Sequence, residues 1–127
     1  MADFHAILPA DAGTHHEELP TAESNRIDFL RSLNILDTVA EEAFDNITRL
    51  LADTFNVPIA LVSLVEDNRQ WFKSVVGLDV AETARSVSFC AHMLDSEDPD
   101  VLFVPDAAQD PRFRNNILVT GEPFIRF

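Results

Sequence analysis

The stretch Ile59-Ala60-Leu61-Val62-Ser63-Leu64-Val65 decides the fold. It is apolar almost throughout and partly β-branched, and Pro58 cuts it off from the helical pattern before it. A short apolar run with no polar alternation reads as a strand covered on both faces, which places it inside a sheet. Glu66-Asp67-Asn68-Arg69 then carries turn chemistry, and Gln70-Trp71-Phe72-Lys73-Ser74-Val75-Val76 reads as a second strand ended by Gly77. So short a connection makes the two strands antiparallel neighbours.

Upstream of this hairpin the period is helical. Ile27, Leu30 and Leu33 recur at helical spacing after Thr21 or Ser24, and Asn34 is the expected stop. Thr38-Val39-Ala40-Glu41 has the form of a capping box opening a second helix. Phe44, Ile47, Leu50, Leu51 and Phe55 form its apolar stripe. Residues 1–20 show no sustained period and are read as a flexible lead-in, with the domain proper spanning 21–127. His16-Glu17 opens like a zinc-protease motif, but Pro20 stands where the second histidine belongs.

Downstream, 78–87 reads as a loop and Ser88 caps a short helix, Phe89 to Leu94. Asp95-Ser96-Glu97-Asp98-Pro99-Asp100 reads as a solvated acidic turn, since it lacks the central Gly and closing Glu of a calcium loop. Val101-Leu102-Phe103-Val104 is the expected third strand and Phe124-Ile125-Arg126-Phe127 a further apolar stretch. Asp106 and Asp110 are placed to open helical turns between them. The inner strand needs a partner on each side and the hairpin supplies one. The expectation is a sheet whose last strands lie beyond Phe127.

Composition narrows the function. The chain has 127 residues, 9 basic and 22 acidic side chains, and a formal net charge of -13. That length suits one small domain. So acidic a chain is a poor partner for nucleic acid or an anionic membrane, both of which select basic surfaces. One cysteine, Cys90, excludes an intrachain disulfide and a Cys-rich zinc site. No run approaches the roughly 20 apolar residues of a membrane span, and the start lacks the basic region of a signal peptide. The expected location is the cytoplasm.

Several strings together resemble bacterial GAF sensor domains. They are Leu33-Asn34-Ile35-Leu36-Asp37-Thr38 with Glu41-Glu42-Ala43-Phe44-Asp45, Pro58 to Val65, and Arg69-Gln70-Trp71-Phe72-Lys73-Ser74. Further along come Arg85 to His92, Val104 to Ala107, Asp110-Pro111-Arg112-Phe113, and Val119 to Phe127, in the order that family shows. The resemblance implies an α+β fold of the GAF/PAS type, an antiparallel sheet with helices on both faces. It also implies a sensory module controlling an attached output domain such as a histidine kinase or diguanylate cyclase. A small ligand would shift the balance between two packings, and terminal helices would pair two copies into a bundle.

The candidate ligand-binding residues are Trp71, Phe89, Cys90, His92, Arg112 and Phe113. No catalytic residue or metal ligand is assigned, and the cofactor is unknown. Each candidate has a structural alternative. Cys90 suits a small buried hydrophobe, Arg112 an ion pair with Asp106 or Asp110, and Trp71 simple sheet packing. A second functional reading is a redox enzyme of the free-methionine sulfoxide reductase type using Cys90, although such chemistry needs a resolving thiol. A third is a bilin photoreceptor attached through Cys90, but the surrounding residues match the general sensor pattern. For the helices, self-coverage of the sheet is the preferred reading of Phe44 to Phe55. For Ile27 to Leu33 the choice between sheet and partner stays open.

Overall fold

The computed structural model describes residues 2–3, 18–95 and 100–127. Most of the 1–20 lead-in, the His16-Glu17 motif and most of the Asp95–Asp100 turn fall outside them, while Ala2–Asp3 and Glu18–Pro20 belong to a strand and a helix.

The architecture is α+β. Three antiparallel strands form its centre: β2 (Ala60–Val65), β3 (Arg69–Val76) and β4 (Glu82–Ala84). A two-residue strand, β1 (Ala2–Asp3), lies parallel to β2 on its other edge, so the sheet order is β1-β2-β3-β4. Every residue of β2 is buried, as a doubly covered inner strand requires. Its outer neighbour β1 reaches only Val62 and Ser63. The expected loop over 78–87 instead contains β4 and a 3-10 turn, Arg85–Val87. Glu82, Thr83 and Ala84 pair back onto Trp71, Gln70 and Arg69. Gly77 makes the reversal after β3 with φ +86°, and a Cβ there would sit 1.9 Å from the Pro58 carbonyl oxygen.

Helices α1 (Glu18–Ser32) and α2 (Glu42–Phe55) cover one face. Helix α1 starts before the expected Thr21, with Pro20 in a first turn where its missing N–H costs nothing. It stops as expected: Asn34 takes a left-handed φ of 53°. Ile27 and Leu30 are buried, and Leu30 packs with Leu64 and Trp71 against the half-buried Ile35 and Leu36. A 3-10 helix, Cys90–Asp95, covers the other face near Gln70. Ser88 caps it as its sequence suggests, its Oγ accepting from Ala91 N at 3.1 Å.

The structure corrects three further expectations. Thr38–Glu41 forms no capping box: α2 begins at Glu42, and Glu41 makes no side-chain cap. Both capping side chains are drawn off by Lys73, as described below. Val101–Val104 is not a strand, and Val101 and Phe103 stand exposed while Val104 enters a core. Phe124–Phe127 is irregular too. Its backbone ties to a short helix, Ile117–Thr120, through Ile125 N to Leu118 O, and to a turn through Ala107 N to Arg126 O, and not to the sheet. Local apolarity is satisfied there by a second small core of Phe89, Val104, Ala107, Phe113 and Val119. The stripe of α2 is the third correction. Thr48 is buried against the sheet, whereas Ile47, Leu50 and Phe55 are 45%, 65% and 67% exposed. Phe44 and Leu51 remain half-buried, so the helix covers its own sheet with only part of that stripe.

Candidate functional site

Four of the six candidate residues meet at one point. The 3-10 helix and the bend just before it bring His92 and Phe89 to Phe113, which follows the Asp110 turn. Phe89 and Phe113 stack in parallel with centroids 4.2 Å apart, and the His92 ring meets Phe113 edge-on at 4.7 Å. The Arg112 guanidinium lies 5.1 Å from the Phe113 centroid. His92 Nδ1 donates to the Ser88 carbonyl at 3.3 Å, which leaves Nε2 as the nitrogen available elsewhere.

Arg112 is held by its own turn. Its Nε and Nη2 donate to Asp110 at 3.0 and 2.7 Å, and its backbone N–H donates to the same carboxylate at 2.9 Å. These bonds hold the Asp110 carboxyl down at about 2, chiefly through the Arg112 side chain, and raise Arg112 further. The ion pair anticipated for Arg112 is therefore present, with Asp110 as its partner. A ligand carboxylate or phosphate reaching this guanidinium has to compete with a chelating neighbour already in place.

Cys90 is adjacent but differently occupied. It is buried, and its Sγ accepts from Gln70 Nε2 at 3.3 Å, fastening the 3-10 helix to β3. A thiol buried in this way is shielded from substrates and oxidants. Trp71 stands apart from the other five. It packs on Leu30 and Leu64 on the face covered by α1.

Trp71 does border an open cleft of about 980 Å³ between α2, β3 and the 78–81 segment. Its polar lining includes Asp37, Thr38, Asp45, Arg49, Lys73 and Asp79. Lys73 organises this region and is the residue that pattern reasoning missed. The β2–β3 register shifts between Val62 and Ser63, which pair with Ser74 and Phe72 and leave Lys73 as the extra residue of a bulge. Lys73 and Ser74 consequently both reach the helical face. Lys73 has a fully buried side chain whose Nζ donates to Thr38 Oγ1 at 2.8 Å and to Val39 O at 2.6 Å, and pairs with Glu41 at 2.6 Å. Three donors meet three acceptors, so the ammonium is spent within the protein. Ser74 Oγ bonds to Thr48 Oγ1 and donates to Asp45. A lysine and a serine set side by side between the apolar pairs Trp71-Phe72 and Val75-Val76, where strict alternation fails, were the available signal.

A second charged assembly ties α1 to the end of the sheet. Glu66, with a side chain 9% exposed, accepts from Arg31 Nε at 3.1 Å and Arg69 Nε at 2.6 Å. Arg69 extends to Asp37 and Glu82, and these bonds, led by Asp37, raise its pKa and lower that of Asp37. Arg26 donates to the Val65 carbonyl at 2.7 Å and pairs with Glu23, which also takes Arg85. Led by the Arg26 hydrogen bond, these contacts lower Glu23 to about 2. Among the described residues, no group of three or more His, Cys, Asp or Glu side chains is arranged to hold a metal ion, and no helix is long and apolar enough to cross a membrane.

No protein-family model matches the chain. Over 108 residues, 85% of its length, it is 42% identical to a cyclic di-GMP phosphodiesterase of Pseudomonas aeruginosa. The matched span is 18% of that protein, so the chain spans under a fifth of the relative's length. The similarity places the chain among signalling-related domains and fits a regulatory role in signal transduction.

Proposed function

We propose that the chain is a GAF-type sensory domain that regulates an attached output unit in cyclic di-GMP signalling. The carrying observation is the 42% identity over 85% of the chain to a segment forming 18% of a cyclic di-GMP phosphodiesterase. The ordered motifs from Leu33 to Phe127 and the helix-covered antiparallel sheet support the GAF assignment. In this reading catalysis lies outside the chain, which acts as a cytoplasmic homodimer. A small ligand meets the Phe89–His92–Phe113 cluster at its Arg112 side, where the guanidinium is half-exposed. Its effect is to shift the balance between two packings of the domain on its output unit.

A fusion tests the reading. The 127-residue chain replaces the matching segment of the Pseudomonas aeruginosa phosphodiesterase, and cyclic di-GMP hydrolysis is compared with a deletion of that segment. The expected result is hydrolysis by the fusion at a rate distinct from the deletion, with none by the 127-residue chain alone. Equal rates in fusion and deletion, or turnover by the isolated chain, would overturn it.

A further inference from the structure

The cleft between α2, β3 and the 78–81 segment shares no residue with the Phe89–His92–Phe113 cluster. Its 78–81 wall is pinned at both ends. Gly77 turns the chain back with φ +86° against the Pro58 carbonyl, and Ala81 O accepts from Phe72 N at 3.0 Å. The buried side chains that line it are polar but satisfied. Lys73 has spent its three donors, and Ser74 and Thr48 bond each other and Asp45. Those side chains leave no donor free for a ligand.

What the cleft leaves free is carboxylate. Asp45 Oδ1 accepts from Ser74, while its Oδ2 has no partner among the described residues. Asp79 is exposed and makes no hydrogen bond or ion pair among those residues. The third lining carboxylate, Asp37, is already chelated by Arg69. Arg49 stands four residues after Asp45, yet it donates to Asn46 at 2.6 Å and forms no ion pair with that carboxylate. Beside these acids the wall is apolar: Val76 and Leu78 are half-buried and Val80 is 48% exposed.

We propose that this cleft binds a small organic cation, a primary ammonium carried on an apolar body. The apolar body covers Leu78 and Val80, and the ammonium donates to the Asp45 and Asp79 carboxylates. A cleft of about 980 Å³ has room for such a molecule. The net charge of -13 concentrates cations at the surface and repels anions, which also find no free donor on the buried lining. A bare cation gains nothing from the apolar wall, and that separates this site from a merely acidic surface. The inference goes beyond the sensory reading above and does not rest on it.

Phenylbutylamine, phenylbutyrate and methylamine are each titrated into the 127-residue chain by calorimetry, in about 0.15 M salt to screen exposed charge. A thermal melt of each variant checks the fold. Phenylbutylamine should bind, and the other two should bind roughly ten-fold more weakly or worse. Asp79→Asn, in an exposed segment, and Asp45→Asn, which keeps an acceptor for Ser74, should each weaken phenylbutylamine about five-fold. If Asp45→Asn lowers the melt, Asp79→Asn carries the test alone. Arg112→Ala should leave this binding unchanged, which separates the cleft from the ring cluster. No binding of phenylbutylamine, equal binding of methylamine or phenylbutyrate, or wild-type affinity in a folded aspartate variant would overturn the proposal. Cyclic di-GMP hydrolysis by the fusion is read separately, so the cleft and the regulatory function can fail independently.

Discussion

Lys73 shows how one side chain redirects its neighbours. A fully buried ammonium must find acceptors, and the nearest are the two side chains that could otherwise have capped α2. Desolvating a charge costs several kcal/mol against leaving a cap unmade at about 1 kcal/mol, so Lys73 takes both. Lys73→Met keeps most of the apolar stem and removes the ammonium. Glu41 is 55% exposed on its side chain, so water takes over its carboxylate and no charge is stranded. The expected loss is about 1–2 kcal/mol in urea denaturation at pH 7, set by the lost hydrogen bonds. An unchanged midpoint would show that the bonds only offset the burial of the charge. Cys90 teaches the opposite lesson: a lone cysteine invited redox or bilin chemistry, but its thiol is buried and accepts from Gln70.

Among the elements, α1 depends most on charge. Its apolar contribution is Ile27 and Leu30, and Glu23, Arg26 and Arg31 join it to β2, the β2–β3 turn and the Arg85 turn. Glu23 titrates at about 2 in the folded chain against an ordinary value of 4.5. A carboxylate lowered by folding stabilises above its ordinary value, and that contribution is lost as pH falls toward the folded one. Glu23 is more than a third exposed, so screening limits its contribution to roughly 0.5–1 kcal/mol. Glu23→Gln should lower stability by that amount at pH 7, with the gap to wild type closing between about pH 4.5 and 2. A gap that persists at pH 2 would assign the effect to packing. Element β3 carries the other local surprise, since its bulge places adjacent side chains on one face where simple alternation separates them.

At the scale of the whole molecule, the sheet separates two cores. Leu30, Leu64 and Trp71 lie under α1, while Phe89, Val104, Ala107, Phe113 and Val119 knit the segment beyond the 3-10 helix. Phe113 is fully buried at the centre of the second. Phe113→Ala should cost about 3–5 kcal/mol, the usual range for truncating a core aromatic. The two cores use different elements, so amide exchange should accelerate most over residues 104–119 and least in β2. Uniform acceleration through both cores would show one cooperative unit.

The hairpin was legible before any coordinates because an apolar, β-branched run followed by turn residues is a local signal that burial reinforces. The same is true of the stop at Asn34, the Ser88 cap and the aspartate turns, which depend on backbone groups only a few residues away. Of the candidate site, the sequence pointed to Phe89, His92, Arg112 and Phe113, while their stacking required two distant loops to meet. It could not show that Trp71 belongs to the other core, because both environments reward a large aromatic equally. Tertiary structure alone decided the fate of Thr38–Glu41, the irregular path of Val101–Val104 and the outward turn of the α2 stripe. In each case local preference was weaker than a long-range demand: a buried charge seeking acceptors, a loop core accepting an apolar side chain, or a sheet already satisfied by Thr48.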